Sequence, residues 1–318
     1  ADRLSDLRGK LDKMLKKRHY PGKNLEEWKE SHQPFHWYAE FYDIIHDRGG
    51  FDVVIGNPPY VQYSSVKKKY TVNNYSTIGC GNLYSLIIER SIQISHKKST
   101  FGMMSISSIR SYDLLRNFID KNIDERWLSN HAIRPTALFE GISQRVSITL
   151  GILNSDRSCR YSTNYLRTKP NLNHLFSNIS YTENENLDID TVMPKIGKSI
   201  EKEILKKLFK KNFNPKSFMK GPKNLKLHYK DYGETYWVFP IDIIPYKAPV
   251  KSYKDVRLND EAALKSAVIS YNSSIFYWFY TAISDCWHFG KWHMKNFPIN
   301  LFDLYESNEE EISNLRDR

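Results

Sequence analysis

A short run of apolar residues that ends in two prolines is the feature that most limits how this chain can fold. The run, Phe-Asp-Val-Val-Ile-Gly over residues 51–56, follows Gly49-Gly50 and leads directly into Asn57-Pro58-Pro59-Tyr60. A run of this length and composition is typical of a strand buried on both faces of a parallel sheet. Proline lacks a backbone N–H and fixes φ, so the strand has to end at the prolines. We therefore predict a loop of fixed shape at the carboxyl end of a buried strand.

Alternating helix and strand patterns after this loop predict an α/β fold. The predicted elements are helices over 83–94 and 113–123 and strands over 101–106, 127–133 and 146–153. Such alternation favours a doubly wound sheet, in which ligands bind beyond the carboxyl ends of the strands. The loop that begins at Asn57 lies at such an end, which makes it the first candidate for a functional site.

Composition divides the chain into three segments. Residues 1–48 are polar and helix-prone, and we predict a helical lead-in. Residues 49–155 contain the alternating elements. Residues 156–318 contain a helix over 200–211 and an aromatic tail over 262–302, for which we predict a mixed α+β domain.

The charge balance points to a polyanionic partner. Lys and Arg number 47 against 36 Asp and Glu, which gives a net charge of +11. A basic protein gains affinity for nucleic acid by releasing counterions from the phosphates. The candidate DNA contacts lie in two basic segments, Lys67, Lys68 and Lys69 in the first and Lys206, Lys207, Lys210 and Lys211 in the second. Lysine runs are also common on solvated surfaces, and the sequence leaves both interpretations open.

Several other classes of protein fit the sequence poorly. The three cysteines are far apart and odd in number, which favours a reducing cytoplasm over a disulfide framework. No stretch reaches the ~18 uncharged apolar residues of a membrane span. His288 and His293 have no carboxylate or thiol partners at ligand spacing, so we predict no metal site. We expect a cytoplasmic protein.

The loop after the first strand offers chemistry that suits an aromatic amine. The exocyclic amine of adenine is a poor nucleophile because its lone pair is delocalised into the ring. Acceptors that form hydrogen bonds with both N–H groups favour a tetrahedral nitrogen, whose lone pair is available for reaction. Asn57 offers a side-chain carbonyl, Pro58 a backbone carbonyl, and Tyr60 a flat face for an extruded base. A plain proline turn would also end a strand. The position at a sheet edge favours catalysis, so we predict Asn57, Pro58, Pro59 and Tyr60 as catalytic residues.

Residues 50–61 resemble the catalytic motif of N6-adenine DNA methyltransferases, especially those fused in type IIG restriction-modification enzymes. Asn82-Leu83-Tyr84 and the run over 101–107 resemble the motifs that follow, and residues 271–299 resemble the end of a TaqI-type specificity region. The resemblance implies a Rossmann-like class I methyltransferase sheet, of which 49–155 would be the C-terminal, target-base half, and a DNA-recognition domain over 156–318.

The same resemblance implies a mechanism and its residues. A site-specific adenine-N6 methyltransferase of a restriction-modification system flips its target base out of double-stranded DNA and transfers a methyl group directly from S-adenosylmethionine. Phe139, in Leu138-Phe139-Glu140-Gly141, would stack on the flipped adenine opposite Tyr60.

The main cofactor-binding motif of this family is absent from the chain. S-adenosylmethionine is bound there through a glycine-rich turn after the first strand and an acidic residue after the second. None of the fourteen glycines follows an apolar strand at the required spacing. We expect these elements on an upstream methyltransferase or nuclease portion, or on a partner chain. We also expect the isolated fragment to be inactive.

Two other functions are consistent with the sequence. RNA adenine and protein glutamine methyltransferases use a similar Asn-Pro-Pro-Tyr loop, so the methyl acceptor is open. A DNA-specificity module or subunit without activity of its own would equally lack the cofactor turn.

Overall fold

The protein divides into two compact units. The computed structural model describes residues 2–20, 22, 24–69, 72–106, 113–141, 143–167, 177, 179–184, 187, 193–210, 215–222, 224–231, 240–245 and 253–316. The first unit contains Ala1–Ile106, Ser111–Leu128 and Val146–Arg160, and the second contains Ser107–Arg110, Ser129–Arg145 and Tyr161–Arg318. The division into segments 1–48, 49–155 and 156–318, which rests on composition, stays a prediction.

The regular elements alternate in the first half of the chain and are mainly helical in the second. The helices are α1 (Asp2–His19), α2 (Leu25–His32), α3 (Trp37–Glu40), α4 (Tyr63–Val66), α5 (Leu83–Gln93), α6 (Asp113–Asn122), α7 (Ser199–Lys210), α8 (Glu261–Tyr271), α9 (Ser274–Ile283), α10 (Lys291–Asn296), α11 (Leu301–Ser307) and α12 (Glu309–Arg316). A π-helix covers Asp43–Asp47, and short 3₁₀ turns cover Ile78–Cys80 and Pro215–Phe218. Within the described ranges, no helix combines the length and the apolar character needed to cross a membrane.

The strands are β1 (Phe51–Gly56), β2 (Ser95–Ile106), β3 (Glu125–His131), β4 (Val146–Ile152), β5 (Cys159–Leu166), β6 (Thr182–Glu183), β7 (Lys226–Tyr229) and β8 (Lys254–Arg257). The predicted strand over 51–56 and the predicted helices α5 and α6 are confirmed. Strand β2 begins at Ser95, earlier than the predicted 101. Its first half is polar and shows no apolar run; Ser95 pairs with Phe51, and after a shift of register the pairing with β1 continues from Val53↔Thr100.

The main sheet is mixed and has the strand order β1-β2-β4-β3-β5-β6. Strands β1 and β2 run parallel, with Val54 opposite Phe101, because α5 carries the chain back between them. Strand β4 runs antiparallel to β2, with Gly151 opposite Phe101. An α/β architecture is therefore confirmed. The identity of the sheet as the second half of a Rossmann-like methyltransferase stays a prediction.

One face of β1 and β2 is covered by helices. Phe101 and Met103 of β2 are buried with Tyr84 and Ile88 of α5 and with Ile119 of α6. Burial of each such side chain contributes about 1.5–3 kcal/mol to folding, which explains why the apolar stripes of both helices face this strand.

The opposite face of β1 is open, and the prediction of a strand buried on both faces is wrong. Strand β1 stands at the edge of the sheet, and Val53 and Ile55 are 63% and 80% exposed. Val54, which points to the other side, packs against the buried cluster. An apolar run indicates that a strand is suited to burial. It does not specify whether other residues of the same chain pack against both of its faces.

The second unit has an aromatic core. Tyr271, Phe276, Phe279 and Phe297 are fully or almost fully buried together. Strands β7 and β8 form a separate antiparallel pair, and Leu227 packs into the same core. The predicted helix over 200–211 corresponds to α7, and the aromatic tail forms α8 to α10 as a helix-and-loop unit.

Candidate active site

The predicted catalytic loop lies at the carboxyl end of β1. Asn57 and Pro59 are exposed, Pro58 is buried, and Tyr60 is half-buried. The Tyr60 hydroxyl donates a hydrogen bond to Asn57 Oδ1 at 2.8 Å. Its ring meets the buried ring of Tyr84 edge to face, with 6.2 Å between the ring centroids. The structure therefore brings Asn57 and Tyr60 into direct contact.

The Tyr60 hydroxyl is in the protonated form that can donate this bond. Removal from water raises the pKa of Tyr60 above the ordinary value of a phenol. A phenol is neutral at physiological pH even without this shift, and the hydroxyl occupies one lone pair of the acceptor that an incoming amine would need.

Backbone hydrogen bonds attach the residues after the loop to the start of α5. Leu83 N donates to Val61 O at 2.9 Å, and Tyr63 N donates to Gly81 O at 2.8 Å. An isolated antiparallel bridge between Gln62 and Asn82 lies between them. The catalytic loop is thus held at both ends, by β1 on one side and by these bonds on the other.

Glu89 organises the turn that precedes α5. Its carboxylate accepts hydrogen bonds from Ser76 N at 2.9 Å, from Thr77 N at 2.8 Å and from Thr77 Oγ1 at 2.7 Å. Burial alone would raise the pKa of Glu89, but these hydrogen bonds outweigh it, and the pKa lies below the ordinary value. The sequence offers one signal of this role, because Glu89 is the single acidic residue of α5.

A large apolar cavity adjoins the loop. Its volume is about 1050 Å³. Asn57 and Pro58 line it together with the open side of β1, one face of α5 and the aromatic segment over 35–38. Such a lining suits a flat aromatic or aliphatic group.

This cavity does not make a complete site for S-adenosylmethionine. Among the residues that the structure describes, its lining contains no Asp or Glu that could bind the ribose hydroxyls and no glycine-rich turn. Apolar and aromatic contacts alone would leave the polar groups of the cofactor unpaired. We therefore assign no step of the chemistry to the cofactor from these residues.

The other predicted site residues are spread over the chain. Lys67, Lys68 and Lys69 are exposed just after α4, in the same unit as Asn57. Lys206, Lys207 and Lys210 are exposed on α7, where Lys206 pairs with Glu203 at 3.1 Å, whereas Lys211 lies outside the described residues. Phe139 is half-buried in the second unit. The roles of all these residues stay predictions.

Residues 4–133 match the model of the Eco57I restriction-modification methylase family. The matched segment is less than half of the chain, and it contains the whole of the loop at Asn57, the cavity and α5. The match supports a restriction-modification methylase and, more generally, a DNA methyltransferase. None of the curated proteins compared by sequence matches the chain.

Part of the chain aligns with several solved structures, two of which are described as Type ISP restriction-modification enzymes. A nuclease-deletion mutant of the Type ISP enzyme LlaGI, in complex with a DNA substrate mimic, is 18% identical with a TM-score of 0.35, over 53% of this chain and 20% of that one. A DrdV–DNA complex is 16% identical with a TM-score of 0.31, over 45% and 17%. The DNA-bound Type ISP enzyme LlaBIII is 17% identical with a TM-score of 0.25, over 36% and 10%. The chain spans about a fifth or less of these three proteins.

Proposed function

We propose that this chain carries the base-holding side of a site-specific DNA adenine-N6 methyltransferase of a restriction-modification system. One observation carries the proposal: Asn57 and Tyr60 are joined by a hydrogen bond at the carboxyl end of β1, within the segment that matches the methylase family. An acceptor and an aromatic face are thereby placed side by side, as an extruded base requires.

In the proposed reaction, an adenine turned out of the duplex replaces the Tyr60 hydroxyl at Asn57 Oδ1. Asn57 Oδ1 and the backbone carbonyl oxygen of Pro58 then accept hydrogen bonds from the two N–H groups of the amine. The ring of Tyr60 stacks on the base. Phe139 is proposed to cover the other face of the base. S-adenosylmethionine, when bound, supplies the methyl group.

The open side of β1 supports a methyltransferase that is completed by another portion. An edge strand presents unpaired backbone groups, and Val53 and Ile55 present an apolar surface beside them. We propose that the upstream part of the enzyme, which holds the cofactor, packs here. The chain by itself is then inactive.

Methyl transfer to DNA provides the test. With the upstream portion supplied, the complete protein should incorporate tritiated methyl groups into duplex DNA more efficiently than into RNA or protein. Replacing Asn57 by Ala removes a hydrogen-bond acceptor that contacts the reacting amine, so the rate of methyl transfer should fall at least ~100-fold. Asn73→Ala, an exposed asparagine of the same unit, is the matched control and should keep full activity. Unchanged methylation by Asn57→Ala would rule the proposal out.

A second candidate function is a DNA-specificity module without activity of its own. The observation that favours it is that the described residues lining the cavity beside Asn57 include no carboxylate. Gel shifts with duplex DNA, made with the chain and the upstream portion together, separate the two functions. Binding that strengthens with S-adenosylmethionine supports the methyltransferase, and binding indifferent to it supports the module.

A further inference from the structure

Two arginines of the second unit donate hydrogen bonds to tyrosine hydroxyls. Arg145 Nε donates to the Tyr165 hydroxyl at 3.0 Å, and Arg167 Nη2 donates to the Tyr277 hydroxyl at 2.7 Å. Among the residues that the structure describes, no Asp or Glu oxygen lies within 4.0 Å of either guanidinium. Within that part of the chain neither guanidinium has a carboxylate partner; Arg145 is half-buried and Arg167 is exposed.

An aromatic ring lies against Arg145. The guanidinium carbon is 4.5 Å from the centroid of the Trp287 ring, within the range of a cation–π contact. The turn that presents this ring is built by Asp285, whose Oδ1 accepts from Trp287 N and His288 N, both at 2.9 Å. The other oxygen of Asp285 lies 2.6 Å from His288 Nδ1. Asp285 is thus engaged in its own turn and is not the partner of Arg145.

The two arginines belong to one cluster. Burial raises the pKa of Tyr165 to about 12, and the charges of both Arg145 and Arg167 act against this rise. Tyr165, the acceptor of Arg145, lies on β5, and Arg167 stands only two positions further along the chain, directly after that strand. We name Arg145, Tyr165, Arg167, Tyr277 and Trp287 the arginine cluster.

We propose that the arginine cluster binds the phosphodiester backbone of duplex DNA, with Arg145 as the central contact; the choice of DNA rests on the proposed function. A guanidinium held at Nε by a hydroxyl and backed by a ring keeps its paired Nη atoms for a bidentate ligand, which matches a phosphate. Because two contacts already orient the side chain, binding costs less conformational entropy. The net charge of +11 favours the same polyanion.

Equilibrium binding of the full chain to labelled duplex DNA over a series of salt concentrations tests this site. Arg145→Ala and Arg167→Ala should each raise Kd roughly tenfold. Each should also reduce the slope of log K against log salt by about 1, as the loss of one phosphate contact predicts. Arg145→Lys keeps the charge but not the planar fork, so Kd should rise while the salt slope stays as in the wild type.

Arg257→Ala is the matched control. Arg257 is an exposed arginine of the same unit, on β8, and its replacement should leave both Kd and salt slope unchanged. Thermal unfolding shows whether each variant is folded. If Arg145→Ala does not fold, Arg145→Lys still tests the site.

The outcomes separate this site from the proposed function. Wild-type affinity and slope in both alanine variants would overturn the arginine cluster and leave the methyltransferase standing. An acidic peptide that competes as strongly as duplex DNA would also overturn it. Loss of binding in these variants of a protein that methylates no nucleic acid would support the cluster and overturn the methyltransferase.

Discussion

At the scale of single residues, the hydrogen bond between Tyr60 and Asn57 sets the resting state of the candidate site. The bond is 2.8 Å long and uses the acceptor that the proposed substrate needs. A neutral hydrogen bond of this kind contributes about 0.5–1.5 kcal/mol. The tyrosine therefore has two opposed effects, since its ring favours the bound base and its hydroxyl competes with it.

Tyr60→Phe separates these effects. The ring is kept and the competing donor is lost, so the KM for DNA of the complete enzyme should fall by about 2- to 10-fold, with little change in kcat. Tyr60→Ala removes the ring as well and should raise KM. Steady-state methylation of duplex DNA measures both. A higher KM in Tyr60→Phe than in the wild type would show that the hydroxyl assists binding.

The lowered pKa of Glu89 predicts that the stability of the fold depends on pH. Because its folded pKa lies below the unfolded value of 4.5, ionised Glu89 stabilises the fold fully above that value. The contribution is lost as the pH falls through the lower, folded pKa. Glu89→Gln should cost about 1–3 kcal/mol of unfolding free energy near pH 7. Denaturant unfolding of wild type and variant should converge in acid, and a constant difference at all pH values would contradict this account.

At the scale of elements, the junction into β1 depends on Gly50. Its φ is +130°, a region that only glycine adopts without strain, and a Cβ would lie 2.5 Å from the carbonyl carbon of Ser95. Both the turn before β1 and the start of the β1–β2 pairing thus depend on Gly50. Proline at the other end of β1 stops the strand by removing a donor, so both ends of this element are set by backbone chemistry.

Gly50→Ala should therefore destabilise the protein by about 1–3 kcal/mol, because the strain and the clash with the β2 backbone cannot both be relieved. Gly9→Ala is the control. Gly9 lies in α1 with open space around its Cα, and alanine there should stabilise the helix by about 0.5–1 kcal/mol. Denaturant midpoints measure both changes. Equal midpoints for the two variants would mean that Gly50 is not constrained.

At the scale of the whole molecule, the main feature is that one face of β1, at the edge of the sheet, is exposed. Ile55 and Val53 are exposed on one side, and Val54 packs into the core on the other. The three side chains are neighbours in sequence, yet their substitution should have different consequences.

Ile55→Asn should leave the unfolding free energy of this chain within about 0.5 kcal/mol of the wild type, because an exposed side chain loses little. The same change should prevent the proposed upstream portion from associating, as measured by co-purification. Val54→Ser, the control, should destabilise the chain itself by about 1–3 kcal/mol. Undisturbed association of Ile55→Asn would show that the upstream portion binds elsewhere.

Local patterns in the sequence determined the elements around the candidate site. Strand β1, helices α5 and α6 and the loop of Asn57 to Tyr60 follow from apolar spacing and from the geometry of proline, which act over a few neighbouring residues. The same patterns indicated an α/β class and a methylase-like segment, and the match over residues 4–133 agrees with them.

Only the tertiary structure decided which groups meet. It opened one face of β1, gave Glu89 its partners across the preceding turn, and placed the Tyr60 hydroxyl on Asn57. It also assembled arginines and aromatic rings from positions 145 to 287 into one cluster. Burial and hydrogen-bond partners depend on contacts between residues far apart in the chain, and no local pattern of residue types specifies those contacts.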